Sequence, residues 1–178
     1  MPTLSLYALP AAKLEATAKE CEALGGEVFY RRTDLCVKED MEQFVKETVD
    51  RFGTIDILIN NAISICPPHT FPEHTEEELQ LTMQSGFLAT WCLMLLCFPY
   101  MKDKASSIVN FGSTSGEPDN LSPEMKDYIM EGFKKNPLCR IGDPYDDITP
   151  AVVFPASDDS RWVTGQNLNV EGGGNIHS

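Results

Sequence analysis

Positive charge is scarce in this chain. Its 178 residues carry 14 Lys and Arg against 27 Asp and Glu, a formal net charge of −13. A surface that acidic repels phosphate backbones, so neither nucleic acid nor an anionic membrane is an expected partner. The excess reads as a solubilising face. Histidine is scarcer still. His69, His74 and His177 lie in a loop, near a helix start and in the tail, and none sits at metal-ligand spacing from a cysteine. No metal site is expected. Cys21, Cys36, Cys66, Cys92, Cys97 and Cys139 form no C-x-x-C pair. They read as reduced, small hydrophobes of a cytoplasmic protein. No basic leader with an apolar core opens the chain. The most apolar stretch, Gly86 to Met101, is broken by Pro99 and followed by Lys102, Asp103 and Lys104. It is short for a membrane span, and a buried core helix is expected there.

What is present is a 42 % hydrophobic fraction, enough to build a core in a chain of one-domain length. Leu14, Ala18, Cys21 and Leu24 recur at helical spacing, which predicts a helix from Ala11 to Leu24 stopped by Gly25-Gly26. Glu27 to Arg32 reads as a strand. Met41, Phe44, Val45, Val49 and Phe52 give a second helix, Lys38 to Phe52, one apolar face. Ile55 to Ile59 suits a buried parallel strand. Pro67, Pro68 and Pro72 mark a loop. A long helix follows from Glu76 to Met101, with an interruption expected near Gly86. Ser107 to Phe111 reads as a strand, Glu124 to Lys134 and Asp146 to Ala156 as helices, and Leu168 to Val170 as a last strand. Alternating strands and helices imply parallel pairing through right-handed crossovers. The expected fold is α/β: one Rossmann-like domain over residues 1–178, a doubly wound parallel sheet truncated to about four strands.

Three constellations could carry chemistry. The strand at Ile55 ends in Asn60-Asn61-Ala62, where an open α/β sheet binds ligands; the same residues equally suit a strand-end turn. The strand at Ser107 runs into Gly112-Ser113-Thr114-Ser115-Gly116, which is either a serine-rich turn or a hydroxyl placed for a substrate. A third block runs from Ala156 to Gly173.

Together and in this order the three blocks resemble the short-chain dehydrogenase/reductase family, classical type. Asp34-Leu35 is similar to its acidic adenine contact, Asn60-Asn61-Ala62 to its N-N-A-G motif with Ile63 in the glycine position, and Ser113 to its catalytic serine. Arg140 to Pro144 and Ser157 to Gly173 are similar to its C-terminal signature. The resemblance implies an oxidoreductase that moves hydride between NAD or NADP and a small-molecule alcohol or ketone. It implies Ser113 as catalytic residue and Asp34, Leu35, Asn61 and Ala62 as cofactor-binding residues. It also implies a homo- or hetero-oligomer contact through helix 76–101.

The departures from the family pattern shape the expectation. No G-x-x-x-G-x-G turn occurs, and so few residues precede Ala11 that the first strand, the phosphate-binding helix and the second strand are expected to be missing. No Tyr-x-x-x-Lys follows Ser113. The one example, Tyr100 to Lys104, precedes the serine strand and reads as chance. The position of the family's catalytic Asn falls near Gly86. Activity is therefore expected to be low or absent. The alternative is a non-catalytic truncated or spliced remnant that pairs with a full-length relative or does not fold independently.

Overall fold

The computed structural model describes residues 2–8, 11–64, 70–112 and 142–172, with a few single positions between 127 and 140. Its first element corrects an expectation. Leu4 and Leu6 alternate with Ser5 and Tyr7, and Thr3–Ala8 forms strand β1. Helix α1, Ala11–Ala23, then leads to strand β2, Glu27–Arg32. β1 pairs with β2 in parallel, from Thr3 opposite Glu27 to Ala8 opposite Arg32. One strand does precede Ala11, and a complete β-α-β unit opens the fold. The run is short and its partner lies beyond a helix, so local alternation alone signals it weakly. Gly25, at φ 90°, takes the left-handed turn that ends α1.

Successive residues of β2 face opposite ways, and each face gains a helix. Val28 is buried with Leu14 and Ala18 of α1. Phe29 turns to the other side and stacks on Phe44, ring centres 6.0 Å apart. Phe44 belongs to helix α2, Lys38–Phe52, whose Met41, Phe44, Val45 and Thr48 are buried. Tyr7 packs against the same ring at 5.0 Å, and Arg31 reaches Glu47 of α2 at 2.9 Å. Gly53 closes α2 at φ 78°, its N–H returned to the Val49 carbonyl at 2.8 Å.

A second parallel pair follows. Strand β3 is Ile57–Asn60 and strand β4 is Ser107–Asn110, in register from Ile57–Ser107 to Asn60–Asn110. Leu58 faces a core shared with Met41, Phe44 and Val45 of α2 and with Ala89, Leu93 and Cys97 from the long helix. Ile57 and Ile59 lie on the opposite face and are exposed. The β1–β2 pair thus has helices on both faces, as a doubly wound sheet requires. Among the described residues β3–β4 is covered mainly on one. The four strands form two two-stranded sheets.

The long helix has three parts. α3, Glu76–Met83, starts at a capping box: Thr75 Oγ1 accepts the Glu78 N–H at 3.2 Å and Glu78 Oε2 accepts the Thr75 N–H at 3.0 Å. A π-helical turn, Gln84–Leu88, centres on Gly86, where the interruption was expected. α4, Ala89–Met101, completes it. Ala89, Leu93, Cys97 and Met101 recur every four residues and form the buried stripe. Leu93 and Met101 are each worth roughly 1.5–3 kcal/mol of burial, and the Ala89 methyl about 0.8. The expectation of a buried core helix holds for that stripe only. Phe87, Trp91, Leu95 and Phe98 are more than half exposed. By length and apolarity the 26-residue stretch Glu76–Met101 could cross a membrane. The helix is longer than Gly86 to Met101 because α3 continues into it through the π-helical turn.

Beyond β4, Asp143 Oδ1 accepts the N–H groups of Tyr145 and Asp146 at 2.8 and 2.9 Å and starts a π-helical turn, Pro144–Ile148. A short helix, Thr149–Val153, continues it, within the helix expected from Asp146 to Ala156. The Ser107 hydroxyl donates to the Pro155 carbonyl and ties this segment to β4. Leu168 to Val170, expected as a strand, is not one: Leu168 and Val170 are exposed and pair with no neighbouring strand among the described residues. Without a ladder partner an extended run has no hydrogen bonds to define it as a strand. Most of the helix expected from Glu124 to Lys134 lies outside the described residues. Cys21, Cys36, Cys92 and Cys97 are free thiols, and burial pushes the Cys97 thiol up to about 12.

Candidate functional site

The carboxyl ends of β3 and β4 converge on a pair of amides. Because the strands are parallel and in register, Asn60 and Asn110 sit side by side. Asn60 Nδ2 donates to Asn110 Oδ1 at 2.8 Å, and the Phe111 N–H donates to the Asn60 carbonyl at 2.9 Å. The Tyr7 hydroxyl, near the carboxyl end of β1, reaches Asn60 Oδ1 at 3.5 Å. Burial holds the Tyr7 hydroxyl protonated, its pKa pushed up to about 12. The strand ends of both sheets therefore meet on one side of the molecule. Asn60 is buried, so its amide is structural, whereas Asn61 is exposed.

The segment after Asn60 is pinned to the long helix. The Ser64 N–H donates to Ser85 Oγ at 3.0 Å, and that buried hydroxyl donates to the Leu81 carbonyl at 2.8 Å. One residue on, Gly86 faces Ile63. A Cβ placed on Gly86 would lie 2.8 Å from Ile63 Cδ1 and 3.3 Å from its Cγ1. Carbon contacts are comfortable only near 3.5–4.0 Å. The isoleucine thus occupies the space that a side chain at position 86 would need. Between the strand ends and the π-helical turn lies an open cleft of about 470 Å³, lined by Asn61, Ile63, Gly86, Phe87, Trp91 and Asn110 among others.

Asn61 and Ala62, singled out in the sequence, both line this cleft. Asp34 and Leu35 lie past the end of β2. Asp34 Oδ1 accepts the Cys36 N–H at 2.9 Å, and the Asp34 N–H donates to Asp40 Oδ2 at 3.0 Å. Leu35 is buried in the core. Ser113 lies outside the described residues, as do His69, His177 and Tyr128. His74 is 3.5 Å from Glu78. Arg140 pairs with Asp147 through both guanidinium nitrogens, one at 2.8 Å, and holds that carboxyl down to about 2. Ser157 caps a turn, accepting the Asp159 N–H at 3.3 Å. No cluster of three metal-ligating side chains occurs among the described residues.

Tyr100 and Lys104 lie at the other end of the sheet. Lys104 Nζ meets Asp56 Oδ1 at 2.6 Å and also contacts Thr54, both before β3 begins. α4 runs antiparallel to the strands, which carries its last turn away from Asn60. Ser85 and Trp91 lie in no motif, and the Asn60–Asn110 bond joins two strand ends that are separate in the sequence. The signal for that bond was legible: two apolar strands of equal length both end in Asn.

Over residues 3–128 the chain matches the family described as short chain dehydrogenase. The chain belongs to the short chain dehydrogenase family. It is 28 % identical over 211 residues to the 12α-hydroxysteroid dehydrogenase of a Clostridium species, covering 90 % of this chain and 82 % of that one. It is 24 % identical over 214 residues to a 3-oxoacyl-(acyl-carrier-protein) reductase of Staphylococcus epidermidis, covering 94 % and 86 %. Both alignments are longer than the 178 residues of this chain. They step over stretches of the relatives that have no counterpart here. The fold is similar to that of a 7α-hydroxysteroid dehydrogenase solved with NADH and 7-oxo glycochenodeoxycholic acid, at a TM-score of 0.82 and 20 % identity, over 96 % of this chain and 84 % of that one.

A dinucleotide needs a turn of bare N–H groups at a helix N-terminus for its pyrophosphate. The two residues written between β1 and α1 are Leu9 and Pro10; neither is a glycine, and Pro10 has no N–H. Among the described residues no glycine-rich turn leads into a helix to hold that pyrophosphate.

Proposed function

We propose that this chain, acting as one unit over residues 1–178, is a short-chain dehydrogenase by descent that carries little or no hydride-transfer activity in this form. The observation that carries the reading is the contact of Ile63 with Gly86. By resemblance, position 86 is where the family carries its catalytic amide and position 63 a glycine. Here the amide is gone and a branched apolar side chain fills its place. The absence of a glycine turn between β1 and α1 and of a Tyr-x-x-x-Lys after Ser113 supports the same conclusion. So do alignments longer than the chain itself. Losing phosphate grip and proton donor together removes many orders of magnitude in rate.

What remains of the inherited site is Ser113 as substrate hydrogen-bonder, Asn61 and Ala62 at the strand end, and Asp34 and Leu35 on the adenine side. These hold NAD or NADP weakly, with an alcohol or ketone as substrate class and the cytoplasm as compartment. The test is oxidation of NADH and NADPH against a panel of ketones, with dinucleotide binding followed by fluorescence. No turnover above the rate of the Ser113→Ala variant is expected. Turnover near the ordinary enzyme range of about 10 per second would overturn the reading.

A second reading rests on the exposed face of the long helix. Phe87, Trp91, Leu95 and Phe98 form an apolar face of the kind that pairs. A non-catalytic remnant would use helix 76–101 to join a full-length relative or a second copy. Light scattering behind a sizing column decides this, and a monomer at all concentrations would end it.

A further inference from the structure

We propose that the outer edge of β4 pairs with the same edge of a second copy. The two strands run antiparallel about a two-fold axis at Val109, and β3–β4 continues into the partner's β4 and β3. The inference requires neither turnover nor the helix pairing considered above.

The ladder decides which groups are free. In a parallel pair the N–H and C=O of one residue point to the same side of the strand, and the side alternates along it. The Ser107 N–H donates to the Asp56 carbonyl at 3.0 Å, and the Phe111 N–H to the Asn60 carbonyl at 2.9 Å. Ser107, Val109 and Phe111 therefore turn their main chain toward β3. Ile108 and Asn110 turn theirs away, and no described residue bonds those N–H and C=O groups. Such an edge is a template for another strand.

The other strands are not in this condition. β2 carries Glu27, Arg31 and Arg32, charges of the kind that blunt an edge. The Tyr7 hydroxyl of β1 reaches Asn60 of β3 at 3.5 Å, which sets these two strands beside each other within the molecule. β4 reads Ser-Ile-Val-Asn, with no charge, no proline and no bulge. That composition suits a strand flanked on both sides. Its surroundings are apolar as well. Ile108 is exposed, Ile57 and Ile59 are exposed on the open face of the sheet, and the Ser107 bond to Pro155 brings the exposed Val153 and Phe154 to the start of the strand.

Symmetry and charge select the occupant. With the axis at Val109, Ile108 of each copy lies opposite Asn110 of the other. Both pairs exchange N–H···O=C bonds in each direction, so the edge satisfies itself. Val109 meets the partner's Val109, and Ile59, in register beside it, extends the apolar strip across the axis. Each copy carries a formal charge of −13, so two copies approach most easily where neither presents a charge.

The test is residue-resolved amide hydrogen exchange on the full chain over a concentration series, with mass followed by light scattering. A dimer is expected as concentration rises, with exchange at the Ile108 and Asn110 N–H groups slowed at least about tenfold and that of Val109, turned toward β3, nearly unchanged. Val109→Lys would set two like charges directly opposite, in a pair whose Cα atoms lie about 4.5 Å apart. It should weaken the dimer by at least about tenfold, whereas Val109→Thr should keep it. If Val109→Lys fails to fold, the exchange pattern of the starting protein decides alone. A monomer at every concentration would overturn the proposal. So would a dimer that leaves Ile108 and Asn110 exchange unchanged, since it would pair through another surface such as helix 76–101. Protection of both amides in the dilute monomer would overturn it too, by showing that the edge is paired within the chain.

Discussion

Replacing Gly86 by Ala tests how tightly Ile63 fills the space beside the π-helical turn. In an open helical position the change would stabilise the protein by about 1 kcal/mol, because Gly is the poorer helix former. At Gly86 the new methyl would lie 2.8 Å from Ile63 Cδ1. Ile63 is half-exposed, so its side chain can swing aside rather than force the backbone apart. Leaving its rotamer costs about 0.5–1.5 kcal/mol. The two effects nearly cancel, and Gly86→Ala alone should leave stability within about 0.5 kcal/mol of the starting protein. In an Ile63→Ala background the clash is gone, and the same change should gain the full value of about 1 kcal/mol. Urea unfolding of the four proteins closes a double-mutant cycle with a coupling of about 1 kcal/mol. A coupling below about 0.3 kcal/mol, with Gly86→Ala fully stabilising beside Ile63, would refute the claim that the isoleucine occupies this space. Gly86→Asn extends the test, since its larger side chain should be tolerated only together with Ile63→Gly.

Other outcomes follow from the core and the charged pairs. Leu93 is 1 % exposed, so Leu93→Ala should cost about 2–5 kcal/mol in urea unfolding, and a loss under 1 would place the core elsewhere. Asp147 has a carboxyl held at about 2 by Arg140, so its contribution is present above its ordinary pKa and fades as pH falls toward 2. An NMR titration should show this depressed midpoint, and Arg140→Gln should raise it part of the way, because the Asp143 N–H still donates to the carboxylate. The Cys97 thiol, pushed up to about 12 by burial, keeps its proton in the folded state. Its contribution is complete below pH 9 and is lost as pH rises toward 12, so the thermal midpoint should fall over that range, less steeply in Cys97→Ala. Alkylation of Cys97 by iodoacetamide at pH 8 should be negligible until the protein unfolds.

Sequence periodicity located α1 and α2 well because each buries one face. The stripe Met41, Phe44, Val45 of α2 is readable directly, and so is the stop at Gly53, whose φ of 78° suits glycine. The interruption near Gly86 was legible for a similar reason: a residue without a side chain inside an apolar run marks a place where the helix can widen. β1 was missed and Leu168 to Val170 was over-read for one shared reason. A short strand is made by its ladder partner, and the partner of β1 lies beyond α1. The tail run finds none among the described residues. The same limit applied to the site. Asn61 and Ala62 were visible as a strand end, but the bond from Asn60 to Asn110 spans fifty positions and depends on register.

By itself, then, the sequence determined the class of fold, the order of its helices and the family pattern, because these follow from local periodicity and short motifs. It also displayed the motif spacings directly, since a Tyr-x-x-x-Lys after Ser113 is either written in these residues or not. Tertiary structure decided the rest. It set Tyr100 and Lys104 at the far end of the sheet from Asn60, joined the two strand-end amides, and brought Ile63 against Gly86. Those placements depend on strand register and helix direction, which no single segment of the chain encodes.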